Sequence, residues 1–100
     1  MTRLRLSQSA RDDLLEIRLF GVENFGAAAD PYFRRFREVF GLLREHPRAG
    51  AVQDDLGRDV RCFTHRRHPI FHRSTTEGVK ILRIVHHARD IGSVDLDMAP

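Results

Sequence analysis

Apolar and polar positions alternate at the start of the chain. In RLRLS, residues 3–7, arginine and leucine fall on opposite sides of an extended backbone, the two-residue period of a strand with one wet face. The period then lengthens. Ser9 stands three before Asp12 in capping-box spacing, and Asp12 and Asp13 sit where a helix dipole favours anions, so a helix is expected from about Ala10. Ala10, Leu14, Ile17 and Gly21 share one face of it, while Leu15, Leu19 and Val22 form a second apolar stripe roughly 100° away. One stripe faces the core; the other needs a cover, either a partner or the segment 46–57. Asn24 to Gly26 suit the helix C-terminus. Asp30 before Pro31 reads as the cap and first position of a second helix, although the alanines at 27–29 are already compatible with one. Ala29, Tyr32, Phe33, Phe36, Phe40 and Leu43 line its apolar face, Arg34, Arg35, Arg37, Glu38, Arg44 and Glu45 its wet face, and it stops before Pro47.

Residues 46–57, HPRAGAVQDDLG, read as a turn-rich connection. VRCFT (60–64) and PIFHRS (69–74) follow as strands joined by the basic turn HRRH, with Pro69 confined to a strand start or an edge. VKILRIVH (79–86) is the most apolar strand and the expected sheet centre. The order is β-α-α-β-β-β: an α+β fold in which a small antiparallel sheet packs on an antiparallel helical hairpin. Residues 1–90 form a single domain, and 91–100 a tail that is ordered, if at all, with a partner.

A chain of 100 residues supports one core. No stretch approaches the length of a membrane span or of a signal peptide's apolar segment, which points to a cytoplasmic protein with no membrane partner. Cys62 is the only cysteine, so neither an internal disulfide nor a thiolate metal cluster can form. Charge is uneven. Residues 1–57 carry nine Lys/Arg against nine Asp/Glu, residues 58–89 carry eight against two together with five of six histidines, and residues 90–100 carry none against three. Such a basic middle is a solvated face or attracts nucleic acid, an acidic protein segment, or the chain's own acidic tail.

Five segments, SARDDLLEIRLFGVENFG, YFRRFREVFGLLREHPRAG, LGRDVRCF, HPIFHR and VKILRIVHHARD, in this order and spacing, resemble the ParE branch of the ParE/RelE toxin superfamily over residues 3–90. The resemblance implies the RelE/ParE-like toxin fold and a small bacterial toxin of a type II toxin-antitoxin system, linked to growth inhibition and plasmid stability. It also implies a ParD-like antitoxin with which the toxin forms a hetero-oligomer, DNA gyrase as target, and no cofactor. Two positions depart from the pattern, neither at the expense of the fold: where tyrosine is common in IFYR, this chain has His72, and helix two gains Pro31.

The sister branch, resembling RelE, cuts messenger RNA on the ribosome without metal, which requires a base, an acid and cations at the phosphate. Arg61, His72, Arg83 and His86 are the residues to supply them here, with Arg73 and His87 as further candidates. Against this, His86 and His87 point to opposite faces if the strand continues through them, and Tyr32, the only tyrosine, lies in the apolar stripe of helix two. No metal site is expected: His68 and His72, four apart, lie ~13 Å apart along a strand. Cys62 in an alternating strand reads as a small hydrophobe. A solvated tip is favoured over sequence-specific nucleic-acid binding for HRRH, which lacks stacking aromatics. Interaction is therefore favoured over catalysis. An antitoxin segment that folds on docking is expected to lay an apolar helix face on Leu15, Leu19 and Val22 and its carboxylates on Arg61, Arg73 and Arg83. Arg83 has the alternative of an internal ion pair, with Asp59 as one partner. The target-facing surface is assigned to His87, Arg89 and Asp90 at the exit of the last strand, Arg89 and Asp90 matching the family's terminal pattern, with a local Arg89–Asp90 ion pair as the competing explanation.

Overall fold

The computed structural model describes residues 3–85. Strand β1 (Arg3–Leu6) leads into helix α1 (Gln8–Phe25), a 3-10 turn (Gly26–Ala28) and helix α2 (Ala29–Glu45). Strand β2 (Ala51–Val52), a second 3-10 turn (Asp54–Leu56), and strands β3 (Val60–His65), β4 (His68–Ser74) and β5 (Gly78–Ile84) complete the order. The strands form one sheet, β1-β5-β4-β3-β2, with the helical hairpin on one face.

The expected α+β order stands with one strand added, β2 within the segment 46–57 expected to be a turn-rich connection, and with four further local differences. First, the sheet is mixed: β1 pairs with β5 in parallel, Arg5 opposite Lys80, while the other pairings are antiparallel. Second, β4 and not β5 occupies the centre, because β1 returns to close the sheet beyond β5. Third, Ser7 and not Ser9 caps α1. Its hydroxyl accepts from the Ala10 N–H at 3.0 Å and donates to Leu82 O at 2.7 Å, so one side chain ends the strand, starts the helix and ties both to β5. Fourth, α2 begins at Ala29, directly after the 3-10 turn, so Asp30 lies in its first turn and not at the cap. Pro31 remains tolerable there, since the first N–H groups of a helix have no intrahelical partner.

The inward stripe of α1 meets expectation. Ala10 and Ile17 are buried with Phe36 and Leu43 of α2 against Ile70, Ile81 and Ile84, and Leu4, Leu6, Leu14, Tyr32, Phe33, Val39 and Phe40 pack around them. Burying side chains of this size stabilises the fold by about 1.5–3 kcal/mol each. A smaller cluster of Val60, Phe71, Leu82 and Val85, with Leu56 and Cys62 against it, fills the opposite face. A bulge reconciles these faces. Phe71 pairs with Arg83 but His72 pairs with Ile81, so Leu82 is an extra residue on β5. Ile81 and Ile84, three apart, can then both face the helices. At the other end of β5, Gly78 lies so close to β1 that a Cβ there would overlap the backbone of Arg3.

Candidate functional site

The second stripe of α1 stays uncovered. Leu15, Leu19 and Val22 are 57, 51 and 51% exposed, Phe25 at the helix end 64%, and the segment 46–57 does not fold over them. Soluble surfaces carry single apolar residues routinely, but four on one side of one helix form a patch that calls for an occupant. Beside it lies a cavity of about 600 Å³ between the C-terminal half of α1, the start of α2 and the β3–β4 turn. Ile17, Phe20, Val22, Phe25 and Phe33 give it apolar walls, and Arg18, Arg66 and Arg67 bring cations to it. The helices place these walls because the 3-10 turn brings α2 back so tightly that a Cβ on Gly21 would meet the Ala29 Cβ at 3.0 Å. Arg18 is held over the Phe33 ring at 5.4 Å, a cation–π contact.

The β3–β4 turn sits on an aromatic base. Tyr32 stacks on His65 with ring centres 5.4 Å apart, and Phe36 meets the same imidazole edge-on at 4.9 Å. Burial lowers the pKa of His65 below its ordinary value, nearby Arg66 and Arg35 lower it further, and Glu38 opposes them. Burial likewise raises the Tyr32 phenol, against the pull of Arg66 and Arg67. Both rings are therefore neutral near pH 7. Arg66 reaches its turn conformation at φ 59°, which a two-residue hairpin connection requires.

The three strand arginines do not converge on one face. Arg83 makes a two-pronged ion pair with Asp13 of α1, Nε to Oδ2 at 2.8 Å and Nη2 to Oδ1 at 2.9 Å, and the Ile84 N–H donates to the same carboxylate at 2.8 Å. The internal ion pair is thus realised, with Asp13 and not Asp59 as partner. Arg61 donates to Gly50 O at 3.3 Å and stands opposite His72. Arg73 stands opposite Val60, one residue along β4 and so on the other face of the sheet.

His72 is fully buried. With the proton on Nε2 it donates to Ala49 O at 2.9 Å, while Nδ1 is buried without a partner. Burial pushes its pKa below the ordinary value, the Ala49 carbonyl works against this, and Arg61 adds to it. A group in this setting cannot reach a ribose hydroxyl. Of the four residues named for nuclease chemistry, His72 is inaccessible, Arg83 is engaged with Asp13, Arg61 is tied to Gly50, and His86 lies outside the described residues. His87, Arg89 and Asp90 also lie outside them. Burial raises the Cys62 thiol, opposed by Thr64 and the backbone of Ile70, which keeps it protonated and unreactive. Among the described residues, no three His, Cys, Asp or Glu side chains gather to hold a metal ion, and no helix is long and apolar enough to cross a membrane.

The model of the family described as "ParE toxin of type II toxin-antitoxin system, parDE" matches residues 4–91. The chain belongs to the ParE toxin family. Among solved structures it is similar to a chain of the "Chromosomal ParDE TA system from P. aeruginosa", with 24% identity, a TM-score of 0.71, and coverage of 84% of this chain and 94% of that one. No individually curated protein matches. For a ParE family member, the sequence had pointed to Leu15, Leu19 and Val22, but the cavity beside them was missed. Phe20, Phe25 and the 66–67 arginines come together only through the tertiary fold, and the one local signal was the basic turn itself.

Proposed function

We propose that this ParE-family toxin acts by binding and not by catalysis: a ParD-like antitoxin neutralises it on the outer face of α1, and its target is DNA gyrase. The observation that carries the first half is the exposed stripe of Leu15, Leu19, Val22 and Phe25 beside an apolar cavity rimmed by Arg18, Arg66 and Arg67. An amphipathic segment with an apolar face and flanking carboxylates fits that combination, and the ParDE pairing of the similar P. aeruginosa structure agrees with it. Arg66 and Arg67 take over here the orienting part that sequence reading gave to Arg61, Arg73 and Arg83, since those three point apart. The burial of His72 weighs against the ribosome-dependent nuclease. Gyrase as target is proposed by analogy with the family, and the proposed toxicity surface is His87, Arg89 and Asp90.

The test is a supercoiling assay on purified gyrase with the protein added, with and without antitoxin, alongside a check for trapped DNA breaks. Inhibition that the antitoxin relieves is the expected result. Unaffected gyrase together with cleavage of ribosome-bound message would overturn the proposal in favour of the nuclease.

A further inference from the structure

Strand β1 is an edge of the sheet, and its two sides differ. The Arg3 and Ser7 N–H groups donate inward to Glu77 O and Ile81 O at 2.9 Å. By the two-residue period of a strand, the Leu4 and Leu6 N–H groups then point outward, where no strand among the described residues meets them. On that side the Arg11 side chain reaches Leu6 O through a long contact of 3.5 Å. Arg3 and Arg5 lie on the face away from the helices, and Leu4 and Leu6, half-buried, on the helix side. The arginine row continues inward in register through Lys80 of β5 to Arg73 of β4. Strands β1, β4 and β5 contain no acidic residue, and Glu77 in the turn between β4 and β5 approaches Arg3 and Arg5 only at 3.6 and 3.9 Å. The edge therefore offers open backbone donors, a cationic side and an apolar side.

One segment of the chain has the complementary pattern. Residues 94–98, VDLDM, alternate apolar and acidic residues just as residues 3–6, RLRL, alternate basic and apolar ones. They lie outside the described residues and beyond the family match, which ends at residue 91, so the family resemblance does not account for them. Extended, the segment sets Asp95 and Asp97 on one side about 6.7 Å apart, the same spacing as Arg3 and Arg5 in β1. The tether is long enough: the eight residues 86–93 reach about 26 Å, more than the length of β1. β5 runs parallel to β1, so the chain leaves it near the C-terminal end of β1 and can return antiparallel along the open edge.

We propose that residues 94–98 add in cis to the outer edge of β1, with Asp95 and Asp97 facing Arg3 and Arg5, and Val94, Leu96 and Met98 covering Leu4 and Leu6. Docked in this way, the tail closes an edge that otherwise templates pairing with other chains, and neutralises part of the cationic row. A second copy is a poorer occupant, since RLRL against RLRL sets arginines beside arginines.

Amide exchange followed by NMR on the full-length protein tests this. Leu4 and Leu6 are expected to exchange at least about tenfold more slowly than in the D95K/D97K variant, and protection should return when R3E/R5E is added to that variant. Equal exchange in the wild-type protein and D95K/D97K would overturn the proposal. So would protection that disappears on dilution, which would assign the strand to a second copy.

Discussion

Asp13 shows how much one side chain can do in a chain this small. It sits one turn into α1 and satisfies both the Arg83 guanidinium and the Ile84 N–H, at the point where β5 runs past the end of β1. Its side chain is only 10% exposed and that of Arg83 25%, so removing the carboxylate takes a two-pronged partner from a largely buried cation and leaves the buried Ile84 amide unmatched. Asp13→Ala is expected to cost about 2–4 kcal/mol in urea unfolding. A double-mutant cycle with Arg83→Ala should return a coupling of about 1–3 kcal/mol; independent, additive losses would show that the pair is ornamental. In the sequence, Asp13 looked like an ordinary first-turn acid, because its partner lies 70 residues away and no local period announces it. His72 supplies the pH dependence. Its pKa lies below the ordinary 6.5 in the folded chain, so between that value and 6.5 the unfolded chain binds more protons. Stability is then fully present above pH 6.5 and is lost as pH falls through the folded value, by at most about 1.4 kcal/mol per unit for one proton. His65 contributes in the same direction. His72→Gln, which keeps an N–H for Ala49 O, should flatten the profile; an unchanged slope would place the titration elsewhere.

At the scale of elements, α1 carries two apolar faces with different purposes. The inner one holds the core, and the outer one is the proposed antitoxin surface. Leu15→Glu with Leu19→Glu should therefore leave the unfolding midpoint nearly unchanged, since both side chains already face water, while weakening antitoxin binding by about 100-fold or more in calorimetric titration. A large fall in stability with binding retained would mean that the stripe is structural. Helices and the β3–β4 hairpin were legible because period, proline and turn chemistry act locally. The parallel pairing of β1 was not, since an alternating strand does not name its neighbour. Nor was the Leu82 bulge, because ILRIV is apolar on both sides and conceals a one-residue slip. Strand β2, two residues long, is too short to carry a period.

For the whole molecule, a binding toxin needs separable surfaces. The α1 stripe lies on the helical hairpin, whereas the residues assigned to the target, His87, Arg89 and Asp90, follow the exit of β5. Arg89→Ala with Asp90→Ala is accordingly expected to reduce growth inhibition on expression while antitoxin affinity changes by less than about twofold, about 0.4 kcal/mol. Loss of both together would merge the two surfaces. The pairing of first strand with last carries a consequence in time. Ser7 reaches Leu82 across 75 positions, so the earliest strand to be synthesised has no neighbour until the latest one exists. Chain growth at about 5–20 residues per second leaves β1 waiting for seconds, and a contact this distant in sequence slows the closing step further. A ribosome that stalls anywhere before β5 thus releases no finished sheet, and premature termination yields fragments in which the edge of β1 has nothing to join.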